Sequence, residues 1–198
     1  MCVCAKLPPF ANSVHRRYTG RVPVELVKRL DLDLLYPPFL VRLLAMLADC
    51  KAAGREYCAT LGYRTWPAQD ALYARGRTAP GLVVTNARGG QSAHNYGIAV
   101  DFFSVQAREP GEPMVPNWAP ESYDMLGAMA VKHGLLWGGT WTALPDRPHV
   151  QVPRYVTAED LAPLEKAFTS PLLPELGDTT QNALHRAWAM LDQAKLFP

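Results

Sequence analysis

The stretch Ser92-Ala-His94-Asn-Tyr-Gly97-Ile-Ala99-Val-Asp101, together with Asp146-Arg-Pro-His149, supplies two imidazoles and two carboxylates. Two histidines and one aspartate can hold a zinc ion and leave a coordination position open. The remaining aspartate can then act as a base on water activated beside the ion. That combination points to hydrolysis rather than to a structural metal.

These side chains need particular elements to bring them together. His94 sits in a loop beside Gly97, whose freedom lets the backbone turn tightly. Residues 98–105 alternate as a strand does, with Ala99, Asp101 and Phe103 on one face and Ile98, Val100 and Phe102 on the other. The small Ala99 leaves room beside an ion. His149 comes from a different short strand, so the fold must assemble the site. Pro145 and Pro148 make a helix there unfavourable, and a turn has to carry Asp146 over the ion.

Each residue has a plainer reading too. A histidine in a strand can be structural, and Asp146 can be a turn residue. Asp101 is harder to dismiss, because an acid between Val100 and Phe102 is costly to bury unpaired. It needs a cation or strong donors. Arg64 is the non-metal candidate, which would make a buried ion pair.

Pro37-Pro38 starts a helix in which Phe39, Leu40, Leu43, Leu44, Leu47 and Ala48 recur at helical spacing, and Gly54 stops it. Before it, residues 22–35 carry a mixed apolar pattern that suggests one short helix. Residues 56–61 read as a strand. Trp66-Pro67 opens a second helix that runs to Gly76. Residues 80–85 read as a short strand or extended segment, and 106–119 as a loop rich in proline and charge. A helix is predicted over 121–133, with His133 favourable near its C-terminus and Gly134 as its cap. Short strands are predicted at 135–137 and 149–152, around Gly138-Gly139-Thr-Trp141, and further helices near 158–168 and 178–195. Helices and short strands alternate irregularly, which favours an α+β class over a doubly wound sheet.

At 198 residues, 48% of them hydrophobic and 19% charged, the chain can bury one sizeable core. The formal net charge of +2 gives no support for a nucleic-acid or membrane-surface partner. No apolar run approaches the roughly 18 residues needed to span a bilayer. The N-terminus lacks a basic region followed by an apolar one, so a cytoplasmic start is expected. Reduced cysteines follow from that setting, with Cys50 and Cys58 as buried small hydrophobes and Cys2-Val-Cys4 in a flexible terminus.

The ordered motifs resemble a known family. Ser92-x-His94-x-x-Gly97-x-Ala99-x-Asp101, then Trp137-Gly-Gly-x-Trp141 and Asp146-x-x-His149, are similar to zinc peptidases of the D-alanyl-D-alanine carboxypeptidase and VanY type. Upstream, Gly62-Tyr63-Arg64-Thr65 with Gln69, Leu72-Tyr73 and Gly76-Arg77 also matches, in the right order. The resemblance implies a small antiparallel sheet flanked by helices, of the hedgehog and DD-peptidase kind. It covers residues 38–153 as a catalytic domain. Residues 1–37 would then form an N-terminal segment packing on the core, and 154–198 a helical extension packed on the catalytic domain.

Carried over by position, the resemblance implies zinc held by His94, Asp101 and His149. Asp146 would be the general base and acid. Arg64 would sit near the scissile carbonyl, binding substrate or stabilising the oxyanion. Ser92 would bind substrate, and Gln69 would contribute to substrate binding or support the arginine or the site wall. Asp rather than Glu at 146, with the Trp-Gly-Gly-x-Trp segment, looks like the L-alanyl-D-glutamate endopeptidase branch found in bacteriophage endolysins. That branch implies a monomeric, lytic and antimicrobial enzyme, acting on peptidoglycan stem peptides after release from the host cytoplasm to the periplasm or wall. Two alternatives stand beside it: a D-alanyl-D-alanine carboxypeptidase of wall turnover, and a non-catalytic zinc-binding module on the same fold. Trp137, Trp141 and Tyr96 could line a cleft or simply pack. His15 and His185 match nothing in the pattern and are expected to be solvated.

Overall fold

The computed structural model describes residues 30–106, 115–169 and 179–194. The expectations for the N-terminal segment up to residue 29, including Cys2, Cys4 and His15, lie outside that range. A 3-10 turn at Leu32–Leu34 stands where a short helix is expected up to residue 35. Helix α1 (Pro37–Ala52) follows, with both prolines in its first turn, where their missing N–H groups cost nothing. Its buried face carries Phe39, Leu40, Leu43, Leu44, Met46, Leu47 and Cys50.

Strand β1 (Tyr57–Leu61) leads to helix α2 (Trp66–Ala74), which Thr65 caps by accepting from the Ala68 N–H. After a long connection and a 3-10 turn at Ala93–Tyr96 comes β2 (Ala99–Val105). The expected strand or extended segment at 80–85 forms no ladder and stays largely exposed. Residues 106–119 are not all loop. Pro116–Asn117 forms β3, pairing with the end of β2, and two residues are too few to show a period in sequence. A 3-10 turn at Pro120–Tyr123 runs into helix α3 (Asp124–Lys132), so the expected helix over 121–133 begins as a tighter turn.

Strand β4 (Leu136–Trp137), a 3-10 turn at Gly138–Thr140, and β5 (His149–Gln151) complete the sheet. All pairings are antiparallel, in the order β1-β2-β5-β4 with β3 against β2, and the α+β class holds. Val100, Phe102, Ala59 and Val150 join the main core with α1 and with Leu126 and Ala130 of α3, while Cys58, Phe103 and Val105 form a smaller cluster. Cys50 and Cys58 are buried thiols that form no disulfide.

Helices α4 (Ala158–Thr169) and α5 (Thr180–Gln193) pack on each other and on this core through Leu161, Leu164, Leu184, Ala187, Trp188 and Leu191. Phe168 stacks on Trp66 at 5.1 Å between ring centres. The buried Trp188 indole donates to the Tyr96 carbonyl at 2.7 Å, and the Tyr36 N–H donates to the Gly97 carbonyl at 2.9 Å. The turn carrying His94 is therefore clamped from two sides. His185 is half-buried with its ring tilted on Trp188, rather than solvated, because it lies on the packed side of α5. His133 ends α3 as expected, and its Nε2 also meets Asp49 of α1 at 2.7 Å.

Gly97 closes the His94 turn in the left-handed conformation, φ 65°, and a Cβ there would collide with the Leu34 carbonyl. Gly97→Ala adds that backbone collision to the left-handed penalty, and is expected to cost more than about 2 kcal/mol. Gly54 has a similar φ of 78° but open space around it, so Gly54→Ala should cost only about 1 kcal/mol. Urea unfolding of the two variants compares them, and equal losses would refute the clamp.

Candidate metal centre

Asp101 lies in β2 directly opposite His149 in β5 and beside Leu61 of β1. A cross-strand pair puts the two side chains on one face as nearest neighbours. Asp101 Oδ1 is 3.0 Å from His149 Nδ1 and 3.2 Å from His94 Nε2, and those two nitrogens are 3.2 Å apart. His94 arrives from the clamped turn, and its Nδ1 donates to the Gly62 carbonyl at 2.7 Å. One ligand atom from each of the three residues falls within 4.8 Å of the others. The imidazoles are buried and Asp101 keeps a 20% exposed side chain, so the cluster opens on one side.

The donor set suits a divalent ion with N and O preference. Each imidazole has its outer nitrogen engaged, His94 by a carbonyl and His149 by Gln151, which frees the inner nitrogens as ligands. Burial would raise the Asp101 proton affinity, but the adjacent imidazoles of His94 and His149 override it and hold the carboxyl well below the ordinary range. Arg64 also reaches Asp101, with 3.6 Å between guanidinium nitrogen and carboxylate oxygen. The ion-pair alternative and the metal cluster thus coexist on one carboxylate.

Asp146 stands beside the cluster without joining it. Its N–H donates to the Gly138 carbonyl at 3.0 Å and its carbonyl accepts from the His149 N–H at 3.2 Å, which fixes the turn between β4 and β5. A Cβ on Gly138 would lie 2.6 Å from the Asp146 carbonyl oxygen and 3.1 Å from the His149 Cβ, so only glycine lets this turn close. Burial raises the proton affinity of Asp146 and the charge of Asp101 adds to it, against the opposing pull of His149, His94 and Arg64. Such a group can hold a proton and give it up.

Gln69 is fully buried. Its Oε1 accepts from Arg64 at 2.7 Å, and its Nε2 donates to the Ala87 carbonyl at 2.9 Å, so it aims the guanidinium rather than facing solvent. Burial lowers the Arg64 proton affinity, and Asp101 and Asp146 counter it. Ser92 is half-buried at the head of the His94 turn. Tyr96 is packing: it is buried, with its hydroxyl donating to the Gly90 carbonyl. Trp137 donates to the Arg147 carbonyl, whereas the Trp141 ring lies 4.9 Å from that of His149, at the site.

Two organising residues escape the sequence reading. Asn95 accepts from the Gly90 and Ser92 N–H groups and donates to the Arg64 carbonyl at 2.8 Å, joining the ligand turn to the arginine. Gln151 meets His149 Nε2 at 2.8 Å. The signal for Gln151 is its place two residues after a candidate ligand, on the same strand face. The local half of the Asn95 role has a signal in the Ser92-x-x-Asn95 spacing of a capping box, whereas its bond to the Arg64 carbonyl, 31 residues away, has none.

Fold and site together bring His94, Asp101 and His149 into one group of possible metal ligands with Asp146 beside it. Residues 85–152 match the model of the M15 peptidase family described as D-alanyl-D-alanine carboxypeptidase. The chain is 36% identical over 117 residues to the peptidoglycan L-alanyl-D-glutamate endopeptidase CwlK of Bacillus subtilis (strain 168), covering 54% of this chain and 67% of that protein. It belongs to the M15 peptidase family. A 29% match to chitin synthase G of Aspergillus niger covers 65% of this chain and 18% of that protein. The crystal structure of the Serratia marcescens L-Ala D-Glu endopeptidase ChiX overlays with a TM-score of 0.48 at 19% identity, over 65% of this chain and 86% of that one.

Asp146 should weaken the metal-free protein, because a raised folded-state pKa gives stability below the unfolded pKa that is lost as pH rises through the folded one. Asp146→Asn is therefore expected to be more stable than the wild type at neutral pH without metal, with the advantage vanishing in acid. Thermal unfolding against pH measures this, and a less stable variant at neutral pH would contradict it. Asp101→Asn is expected to lose bound zinc while Asp146→Asn keeps it, as metal analysis of the purified proteins would record.

Proposed function

We propose that this protein is a zinc endopeptidase that cuts the L-alanyl-D-glutamate bond of peptidoglycan stem peptides. The observation that carries the reading is the His94–Asp101–His149 cluster with a separate carboxylate, Asp146, of raised proton affinity beside it. The choice of bond is supported by the likeness to CwlK over two thirds of that protein's length.

His94, Asp101 and His149 would hold the zinc ion. When bound, zinc supplies Lewis-acid polarisation of a carbonyl oxygen and of water. Asp146 takes a proton from the attacking water as the oxygen–carbon bond forms. It then delivers that proton to the amine nitrogen as the carbon–nitrogen bond breaks. Arg64, held by Gln69, presents positive charge to the oxygen that becomes negative in between. Ser92, at the head of the His94 turn, is assigned to substrate binding in the same reading.

A second reading is D-alanyl-D-alanine carboxypeptidase activity, favoured by the description of the family whose model matches residues 85–152. Digestion of purified walls, with and without a chelator, followed by mass spectrometry of the fragments separates the two. The expected result is new N-terminal D-glutamate that disappears with chelator. Free D-alanine as the sole product would instead establish the second reading. Asp146→Ala is expected to retain zinc while wall cleavage falls at least about a hundredfold, the usual weight of general acid–base catalysis. Unchanged cleavage by that variant would remove Asp146 from the mechanism.

The phage endolysin setting, with cytoplasmic accumulation before access to the wall, belongs to the same proposal and rests on the sequence resemblance. Among the described residues no helix is long and apolar enough to cross a membrane. Expression inside bacterial cells should cause lysis only when the inner membrane is opened. Lysis without that opening would rule the setting out.

A further inference from the structure

To ligate an ion, each histidine of the cluster must turn a lone pair inward, and a neutral imidazole has one lone pair and one N–H. For His94 the backbone decides. Nδ1 faces the Gly62 carbonyl, which can only accept, so the proton sits on Nδ1 and the lone pair on Nε2. His149 is oriented the other way. Its Nδ1 faces Asp101 and His94, and its Nε2 faces the side-chain amide of Gln151 at 2.8 Å.

An amide can offer either its oxygen or its NH2 to that nitrogen, and the two choices fix opposite tautomers. The far end of the Gln151 amide makes the choice. Gln151 Nε2 donates to the Tyr155 carbonyl at 2.7 Å and to the Val152 carbonyl at 3.2 Å. Flipping the amide would lose both hydrogen bonds and set its oxygen against the two carbonyl oxygens. The oxygen therefore faces His149, which must donate from Nε2.

The Tyr155 carbonyl reaches Gln151 because the chain doubles back after β5. Arg154 takes φ 77° there, the one positive φ at a non-glycine among the described residues. That conformation is unfavourable for an L residue and persists where the surroundings hold it.

Resting on the metal-site reading above, we propose that Gln151 is a positioning residue of the metal centre. Its amide, locked by the Val152 and Tyr155 carbonyls, keeps the His149 proton on Nε2 and turns the Nδ1 lone pair toward the ion. An outer partner of this kind is commonly worth about 10–100-fold in metal affinity.

The test is zinc titration of the whole metal-free chain against a chromophoric chelator, for the wild type and for Gln151→Met, alongside thermal unfolding of each metal-free protein. Zinc affinity is expected to fall at least about tenfold in the variant. In the zinc-loaded wild type, nitrogen NMR should show His149 ligating through Nδ1 with a slowly exchanging Nε2–H. A folded Gln151→Met protein that loses metal-free stability but keeps wild-type zinc affinity overturns the proposal and leaves Gln151 a packing role. Should the variant fail to fold, the wild-type spectrum decides. Ligation through Nε2, or an Nε2–H exchanging as fast as that of an exposed imidazole, overturns the proposal. A wild-type protein that takes up no zinc overturns the metal-site reading itself, and this inference with it.

Discussion

A carboxylate in the middle of an apolar central strand has to be answered by positive charge or by strong donors. Asp101 occupies that position in β2, paired on one side with β1 and on the other with β5. Everything around it supplies an answer. His149 meets it from the opposing strand, His94 from the clamped turn, and Arg64 from the connection between β1 and α2. The remaining architecture holds these three in place. Gly62 and Gln151 fix the imidazoles, while Gln69 and Asn95 fix the arginine and its backbone.

The two acidic side chains are separated by their surroundings rather than by their chemistry. Asp101 sits among imidazoles and stays ionised, whereas Asp146 feels burial and the charge of Asp101 and holds its proton more tightly. Environments that push two carboxyls apart in this way divide the work between a fixed anion and a proton carrier. The division depends on Gly138, whose missing side chain admits the Asp146 turn close to His149.

Much of this was legible in the sequence because it follows from short-range rules. The double proline and helical spacing marked α1, and the strand-like pattern of residues 98–105 marked β2 and put Asp101 on a different face from Val100 and Phe102. The ordered motifs marked His94, Asp101 and His149, which the fold brings together, and Arg64 beside them. What stayed hidden depends on distant partners. β3 is two residues long and exists because β2 offers it an edge. The buried lock on the His94 turn is a tryptophan 92 residues further on. Gln151 looks like an ordinary polar strand residue until the return of the chain at Tyr155 gives its amide a direction. His185 packs against Trp188, which a lone histidine on an amphipathic helix does not reveal from its own sequence neighbours.

The strands that carry His149 and its turn are only three and two residues long, at the far side of the sheet. Ladders of that length contribute little on their own. An ion shared by Asp101 and His149 would act as a rivet between segments 48 residues apart, and ligand binding to the folded form alone adds to its stability. In the proposed zinc enzyme, metal supply would set how firmly this margin of the sheet is fastened. Since the Asp146 turn hangs from the same margin, stripping such an ion would loosen the carboxylate proposed to move the proton as well as removing the proposed Lewis acid.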